Sequence, residues 1–296
     1  MIVVVGAAGF IGSHVVDVLM EQGKSVIPMD NAYPRDDHIE YIDVRWGPEN
    51  IEMSMALGES TEITGVINLA GLLGTHELFD NVEAAIDVNV KGQYNVAEAA
   101  RRLEVPYVTI EQPHVWTNPY ETTRGAGVRL ARGLAEHKGL RLATVQAFNA
   151  FGPRQAHGPG HPQKIVPTFA LAALEGKPLP VYGEGDQMIN LVHARDIARV
   201  MVSALDHASI EAPHFYGAAM NGNMSVRKLA ERISAFAGVP LEMEFLPMRP
   251  GETDDGFGAT MTEARLEQQG KVLGFTPFLE WSTVISTVRW YDEHYL

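Results

Sequence analysis

The opening stretch MIVVVGAAGFIG, from Met1 to Gly12, constrains this chain more than any other segment. Ile2 to Val5 form an unbroken β-branched run, the pattern of a strand buried on both faces of a parallel sheet. Gly6, Gly9 and Gly12 follow at once, and Ser13–Glu21 then has helical character. A strand that turns directly into a helix leaves unpaired backbone N–H groups at the helix N-terminus, where an anion is held. The glycines divide the work: Gly6 permits the tight turn, Gly9 lets the backbone approach a phosphate, and Gly12 allows close helix–strand packing.

A second apolar run, Ser25–Met29, ends at Asp30, eighteen residues past Gly12. An acid at about that separation accepts hydrogen bonds from the adenosine ribose hydroxyls and repels a 2′-phosphate. The spacing therefore predicts a dinucleotide site for NAD rather than NADP.

Composition narrows the partners. A chain of 296 residues, 46% hydrophobic and 20% charged, buries a large core as one large domain or two. A formal charge of −14 opposes binding to nucleic acid or to an anionic membrane, both of which need a positive field. The absence of cysteine excludes disulfides and thiolate chemistry. No apolar run approaches the ~20 residues of a membrane span. The first strand starts at residue 2, leaving no room for a leader, so a cytoplasmic location is expected.

Along the first half, strand and helix alternate. Strands are predicted at Ile2–Val5, Ser25–Met29, Ile39–Val44, Gly65–Leu69, Pro106–Ile110 and Leu140–Phe148. Helices are predicted at Ser13–Glu21, Glu49–Leu57, Val82–Leu103 and Tyr120–Lys138, the last closed by Gly139. Such alternation implies a doubly wound parallel sheet of Rossmann type with ligands at the carboxyl ends of its strands. From Gly152 the texture changes to a loop rich in Gly, Pro and His. Beyond it come helices at Val166–Leu174, Asp196–Asp206, Ser225–Ala237 (with Ser225 as N-cap) and Trp281–Tyr295, and a short strand at Leu179–Tyr182. Arg249-Pro250-Gly251-Glu252 reads as a turn.

These motifs, in this order, resemble the extended short-chain dehydrogenases/reductases, within the NAD-dependent epimerase/dehydratase group and most similar to UDP-glucose 4-epimerases. The matching pieces are Gly6-Ala-Ala-Gly9-Phe-Ile-Gly12, Asp30-Asn31, Asp43-Val44, Asn68-Leu-Ala-Gly71, Asn89-Val-Lys-Gly92, Tyr120-Glu-Thr-Thr-Arg124 and Phe148-Asn-Ala-Phe-Gly-Pro-Arg154. Pro180-Val-Tyr-Gly183, Leu191–Ile197 and Arg249-Pro-Gly-Glu252 follow. The resemblance implies an α/β fold with a Rossmann domain at 1–151 and a smaller α/β substrate-binding lobe at 152–296, of which about 190–218 returns to the Rossmann domain. It implies a cofactor site of Gly6, Gly9, Phe10, Ile11, Gly12, Asp30 and Asn31, with Asp43 and Val44 at the adenine. Leu69, Ala70 and Gly71 would line the pyrophosphate and nicotinamide side, and Asn89 would brace the strand ends. Leu73, Asn149, Val166, Val181, Tyr182 and Arg249 would meet the nucleotide sugar. A guanidinium such as Arg249 suits phosphate because its fork binds in bidentate fashion.

Tyr120 and Arg124 stand four residues apart, so on a helix they share a face. A nearby cation stabilises a phenolate, which can take a hydroxyl proton while a hydride moves to nicotinamide. The chain departs from the family at this point. Arg124 replaces a lysine, Gln112 stands where a Ser or Thr is usual, and Ile189-Asn190 replaces an arginine-bearing segment. Pro113 and His114 occupy the Asp-Glu position of the sugar-nucleotide dehydratases, so dehydration is not expected. His157 and His161 lack a third ligand, and no metal is expected. The expected activity is C4 epimerisation of a UDP-sugar through a transient 4-keto intermediate. The alternatives are an NAD(P)-dependent nucleotide-sugar reductase or dehydrogenase and a non-catalytic NAD-binding protein. A homodimer is expected by resemblance, with Leu130 and Leu134 serving either the core or that interface.

Overall fold

Four consecutive β-branched residues belong in the middle of a sheet, and β1 (Ile2–Val5) lies there with every residue buried. The computed structural model describes residues 1–31, 38–56, 62–112, 116–252 and 260–296. The further strands are β2 (Val26–Asp30), β3 (Glu40–Tyr41), β4 (Gly65–Asn68), β5 (Tyr107–Glu111), β6 (Leu142–Ala147) and β7 (Asn149–Phe151). After these come β8 (Leu179–Tyr182), β9 (Met188–His193), β10 (His214–Gly217), β11 (Asn223–Ser225) and β12 (Met243–Leu246). Seven strands form one parallel sheet in the order β10-β6-β5-β4-β1-β2-β3. The chain's direction of winding reverses between β1 and β4, which opens a crevice at their carboxyl ends.

Helices cover both faces of this sheet. They are α1 (Phe10–Glu21), α2 (Pro48–Met55), α3 (Val82–Ala85), α4 (Gln93–Arg102), α5 (Pro119–Lys138), α6 (Ile165–Leu174), α7 (Ala194–Ala204), α8 (Val226–Ala237), α9 (Glu263–Leu273) and α10 (Trp281–Tyr295). Alternate residues of β1 feed two separate cores. Ile2 and Val4 join one cluster with Val15 and Val200, while Val3 and Val5 join another with Val96 and Ala131. Two smaller sheets, β11-β9-β7 and β12-β8, build the remaining lobe. The chain returns from that lobe when α7 packs on α1 and β10 pairs with β6.

Several predicted boundaries move, each for a physical reason. Helix α1 starts at Phe10 rather than Ser13, because glycines at its N-terminus carry no apolar periodicity. The strand expected at Ile39–Val44 is reduced to β3; Ile42 still donates its N–H to Asp30 O at 3.0 Å, and Ile42 and Val44 are buried past the strand's end. The expected helix Val82–Leu103 is interrupted by a π-helical segment, Ile86–Gly92; Val82 and Ile86 are exposed, while Val96, Ala99 and Ala100 beyond it are buried. The strand expected at Leu140–Phe148 ends at Ala147, and β7 leaves for the second sheet. The helix expected at Glu49–Leu57 is α2, with Leu57 outside the described residues. Helix α9 escaped prediction because its buried face is just Leu266, Gln269 and Leu273. Ser225 does cap α8, accepting from the Lys228 N–H at 3.2 Å.

His14 on α1 and His193, the N-cap of α7, face each other with ring centroids 5.8 Å apart. Arg154 can only donate, so His14 Nδ1 accepts from it at 2.9 Å and the ring is neutral. His193 Nδ1 likewise accepts, from the Arg195 N–H at 3.2 Å. Burial, aided by these arginines, holds both imidazoles down at about 4. The unfolded chain therefore takes up protons that the folded chain refuses. Stability is full above the ordinary histidine value near 6.5 and falls as pH drops towards 4, by up to roughly 3 kcal/mol per ring. Urea unfolding at a series of pH values checks this, and His14→Gln is expected to flatten the slope between those limits.

Candidate active site

The turn between β1 and α1 is built by exclusion. Gly6 has φ +85°, and a Cβ there would lie 2.7 Å from the Ala70 nitrogen. A Cβ on Gly12 would fall 2.0 Å from the Gly6 carbonyl oxygen, so the helix abuts the turn's own backbone. Gly9 is the N-cap and offers no side-chain acceptor, leaving the first-turn N–H groups of α1 aimed into the crevice. Asp30, at the end of β2, accepts from the Ala8 N–H at 2.9 Å. An adenine dinucleotide fits this cradle: orphan N–H groups for the pyrophosphate and a carboxylate one strand away for the ribose.

A cleft of about 640 Å³ runs from this turn into the second lobe. Of the expected cofactor residues, Gly6, Gly9, Phe10, Ile11, Gly12, Asp30, Asn31, Val44, Leu69, Ala70 and Gly71 line it. Gln112, Tyr120 and Arg124 line its middle, and Leu73, Asn149, Tyr182 and Arg249 line the far half. Four expected side chains stand elsewhere. Asp43 is turned to Arg45, which meets both carboxylate oxygens and holds the acid below its ordinary range. Asn89 sits behind the wall, with Oδ1 accepting from Leu72 N at 2.8 Å and Nδ2 donating to Leu72 O at 3.0 Å. Val181 enters the core because β8 alternates, which leaves Pro180 and Tyr182 on the cleft side. Val166 is buried likewise, and α6 presents Ile165, Thr168 and Phe169 instead. Pro113 and His114 lie outside the described residues.

Helix α5 starts under tight control. Asn118 Oδ1 accepts from the Glu121 N–H at 2.9 Å, and Glu121 Oε2 accepts from the Trp116 N–H at 2.9 Å. Asn118 Nδ2 also donates to Gly251 O at 3.2 Å, tying the helix start to the 249–252 turn. Tyr120 and Arg124 face the cleft one helical turn apart. Burial pushes the Tyr120 phenol up, the Arg124 guanidinium opposes that rise, and Glu121 adds to it. Arg124 donates to Ala70 O at 2.7 Å and to Ile110 O at 3.4 Å, so it bridges the ends of β4 and β5.

The far half of the cleft holds a cation that sequence reading missed. Lys164 caps α6 and lines the cleft; burial lowers its ammonium's affinity for a proton, Arg249 adds to this, and Glu77 and Glu252 oppose it. Arg249 binds Glu252 in a fork, at 3.0 and 2.5 Å, and stacks over Tyr182 at 4.8 Å. Glu252 also accepts from Thr75 Oγ1 at 2.7 Å. The signal available for Lys164 was its position one residue before an apolar helix, which no local rule links to a ligand. Ile189 is buried at the cleft wall, and Asn190 spends its amide on Ala219 O and Asn223 Oδ1. The His157 backbone N–H donates to the Tyr295 hydroxyl at 3.2 Å, and among the described residues no three His, Asp or Glu gather as a metal site.

A model of the NAD dependent epimerase/dehydratase family matches residues 2–111 and 108–219. The chain belongs to that family. NAD is the family's cofactor, in keeping with the cradle described above. Among curated relatives, a UDP-glucuronate 4-epimerase from Thermodesulfobacterium geofontis is 23% identical, over 98% of this chain and 96% of its own. A UDP-glucuronic acid decarboxylase from Xenopus tropicalis is 27% identical, over 83% of this chain and 62% of its own. A trifunctional UDP-glucose 4,6-dehydratase/epimerase/reductase from Arabidopsis thaliana is 24% identical over 99% of this chain, which spans 47% of that enzyme's length. Two solved structures share the fold. The UDP-glucose 4-epimerase of Thermotoga maritima with UDP-glucose superposes at TM-score 0.84 and 21% identity, covering 99% and 98% of the two chains. That of Thermus thermophilus with NAD gives 0.80 and 22%, covering 99% of each.

Among the described residues, no helix of this family member is long and apolar enough to cross a membrane. The geometry of the family's glycine turn yields a direct test. Gly12→Ala drives a methyl into the Gly6 carbonyl, and overpacking of this kind costs about 1–3 kcal/mol or more. The variant is expected to lose NAD affinity by at least tenfold in a fluorescence titration and to unfold at lower temperature.

Proposed function

We propose that this protein epimerises a UDP-sugar at C4 with bound NAD, through a transient 4-keto sugar. The observation that carries the reading is Tyr120 beside Arg124 on one face of α5, at the point where the dinucleotide cradle meets the second lobe. When bound, NAD supplies a hydride acceptor that can return what it received. Tyr120 takes the proton of the C4 hydroxyl as the carbonyl forms and returns it when the carbonyl is reduced. Arg124 favours the phenolate form against the burial that opposes it. Gln112, lining the cleft at the end of β5, donates its amide to the C4 oxygen in place of a hydroxyl.

In this reading Asp30 and Asn31 meet the adenosine ribose, Val44 meets the adenine while Arg45 holds Asp43 away from it, and Leu69 to Gly71 line the nicotinamide side. Asn149, Tyr182 and Arg249 hold the nucleotide diphosphate, and Lys164 supplies the positive charge that Ile189 does not. The far half must hold the diphosphate while the keto sugar turns to offer its other face. A doubly charged group gripped by Arg249 and Lys164 meets that need.

A homodimer accompanies this reading. Val82, Ile86 and Leu130 are exposed on α3, the π-helical segment and α5, whereas Leu134 is committed to the core. A sedimentation mass of two chains is expected, and a mass of one chain would refute it.

Activity is tested by incubating the protein with NAD and UDP-glucose, UDP-galactose or their N-acetyl counterparts. Interconversion within one pair is expected; no interconversion in any pair would overturn the proposal. A net change at the nicotinamide absorbance band would instead indicate a reductase or dehydrogenase. Tyr120→Phe is expected to lower kcat by about 10²–10⁴ with NAD affinity kept. Lys164→Met is expected to raise KM about tenfold, the effect of one lost ionic contact of about 1.4 kcal/mol, with a smaller change in kcat.

A further inference from the structure

Gly71 and Arg124 meet at closer range than any side chain at 71 allows. A Cβ built on Gly71 would lie 2.5 Å from Arg124 Nη1 and 3.1 Å from its Cζ. Gly71 is not among the residues with positive φ, so the backbone there makes no demand for glycine. Space makes the demand. The guanidinium fills the volume that an alanine methyl would need.

What the guanidinium does in that volume is specific. Arg124 is 4% exposed, and its two terminal nitrogens donate to Ala70 O, two residues past β4, and to Ile110 O, the next-to-last residue of β5. An ammonium is a point donor on a flexible stem and cannot span two carbonyls with a rigid fork. We propose that Gly71 and Arg124 are a matched pair: the missing side chain at 71 lets a guanidinium, in place of the family's lysine, serve as a cation fixed by strand-end carbonyls beside Tyr120. Glycine at 71 thus leaves the room that the bulkier cation needs. Backbone carbonyls of the protein itself hold that charge in position.

The packing half of this inference stands on geometry alone; the electrostatic half, that the fixed charge sets the acidity of Tyr120, rests on the proposed epimerase reading. Four proteins test the first half: wild type, Gly71→Ala, Arg124→Lys and the double variant. Unfolding is followed without ligand, and NAD binding by titration. With Arg124 present, Gly71→Ala is expected to lower the unfolding midpoint by about 5 °C and to weaken NAD about tenfold. With Lys at 124 the same change is expected to cost far less. The Asn89 Oδ1, 3.1 Å from that Cβ, is present in both backgrounds, so its contribution cancels in the cycle. If Gly71→Ala fails to fold while the double variant folds, the pairing is supported. Equal cost in both backgrounds, or failure of both to fold, overturns it.

The second half is tested by the rate–pH profile of Arg124→Met. Its rising limb is expected to move to higher pH than that of wild type, because the phenolate loses its cation. An unmoved limb overturns that half. Ligand-free unfolding needs no catalysis, so a protein without epimerase activity would refute the proposed function and leave the pairing to be judged by the cycle.

Discussion

The contact of Gly12 with the carbonyl of Gly6 is the constraint from which the rest of the molecule follows. With 2.0 Å available to a Cβ, helix α1 can leave β1 at just one steep angle. That angle fixes three things at once. It aims the first-turn N–H groups of α1 into the crevice. It lays Val15, Val18 and Leu19 against the sheet. It also gives α7 a partner, and through α7 draws the chain back from the second lobe to the main sheet.

A second layer of support lies beneath α5. Asn68 donates to Gln93 Oε1 at 3.1 Å and to the Tyr107 hydroxyl at 3.0 Å, while its own Oδ1 accepts from Ala70 N at 3.1 Å. Gln93 donates to the same hydroxyl at 2.8 Å, and Thr109 donates to Asn68 O at 3.0 Å. Burial pushes the Tyr107 phenol up to about 12, which keeps it a neutral member of the network. The side chains of Asn68, Gln93, Tyr107 and Thr109 are all buried and partnered, and an orphan among them would cost about 1–3 kcal/mol. The strand ends that receive Arg124 are therefore stiff, and a guanidinium bonded to them inherits that stiffness.

How much of this was legible in the sequence depended on the range of the cause. The β1 run, the Gly6-Gly9-Gly12 spacing and the Tyr120-to-Arg124 interval are local, and each maps onto one turn or one helix face. The Ser225 cap and the Arg249–Glu252 turn were equally plain, since their partners lie within three residues. The π-helical segment was invisible because a change from i→i−4 to i→i−5 hydrogen bonding carries no mark in residue type. Alternation along β8 was readable, yet which alternate face met the cleft was not, and so Val181 was expected there beside Tyr182, whereas Pro180 is Tyr182's companion at the cleft.

By itself, then, the sequence determined a parallel α/β sheet, a dinucleotide turn, an acid at the end of β2 and a phenol and a cation on one helix face. Each of these is a property of residues close in the chain, where covalent geometry and period set the outcome. Tertiary structure alone decided that Arg124 lies over Gly71 between Ala70 and Ile110, and that Lys164 joins Arg249 at the far half of the cleft. Those encounters span tens of residues of chain, and only the packing of whole layers brings such groups within a few ångströms.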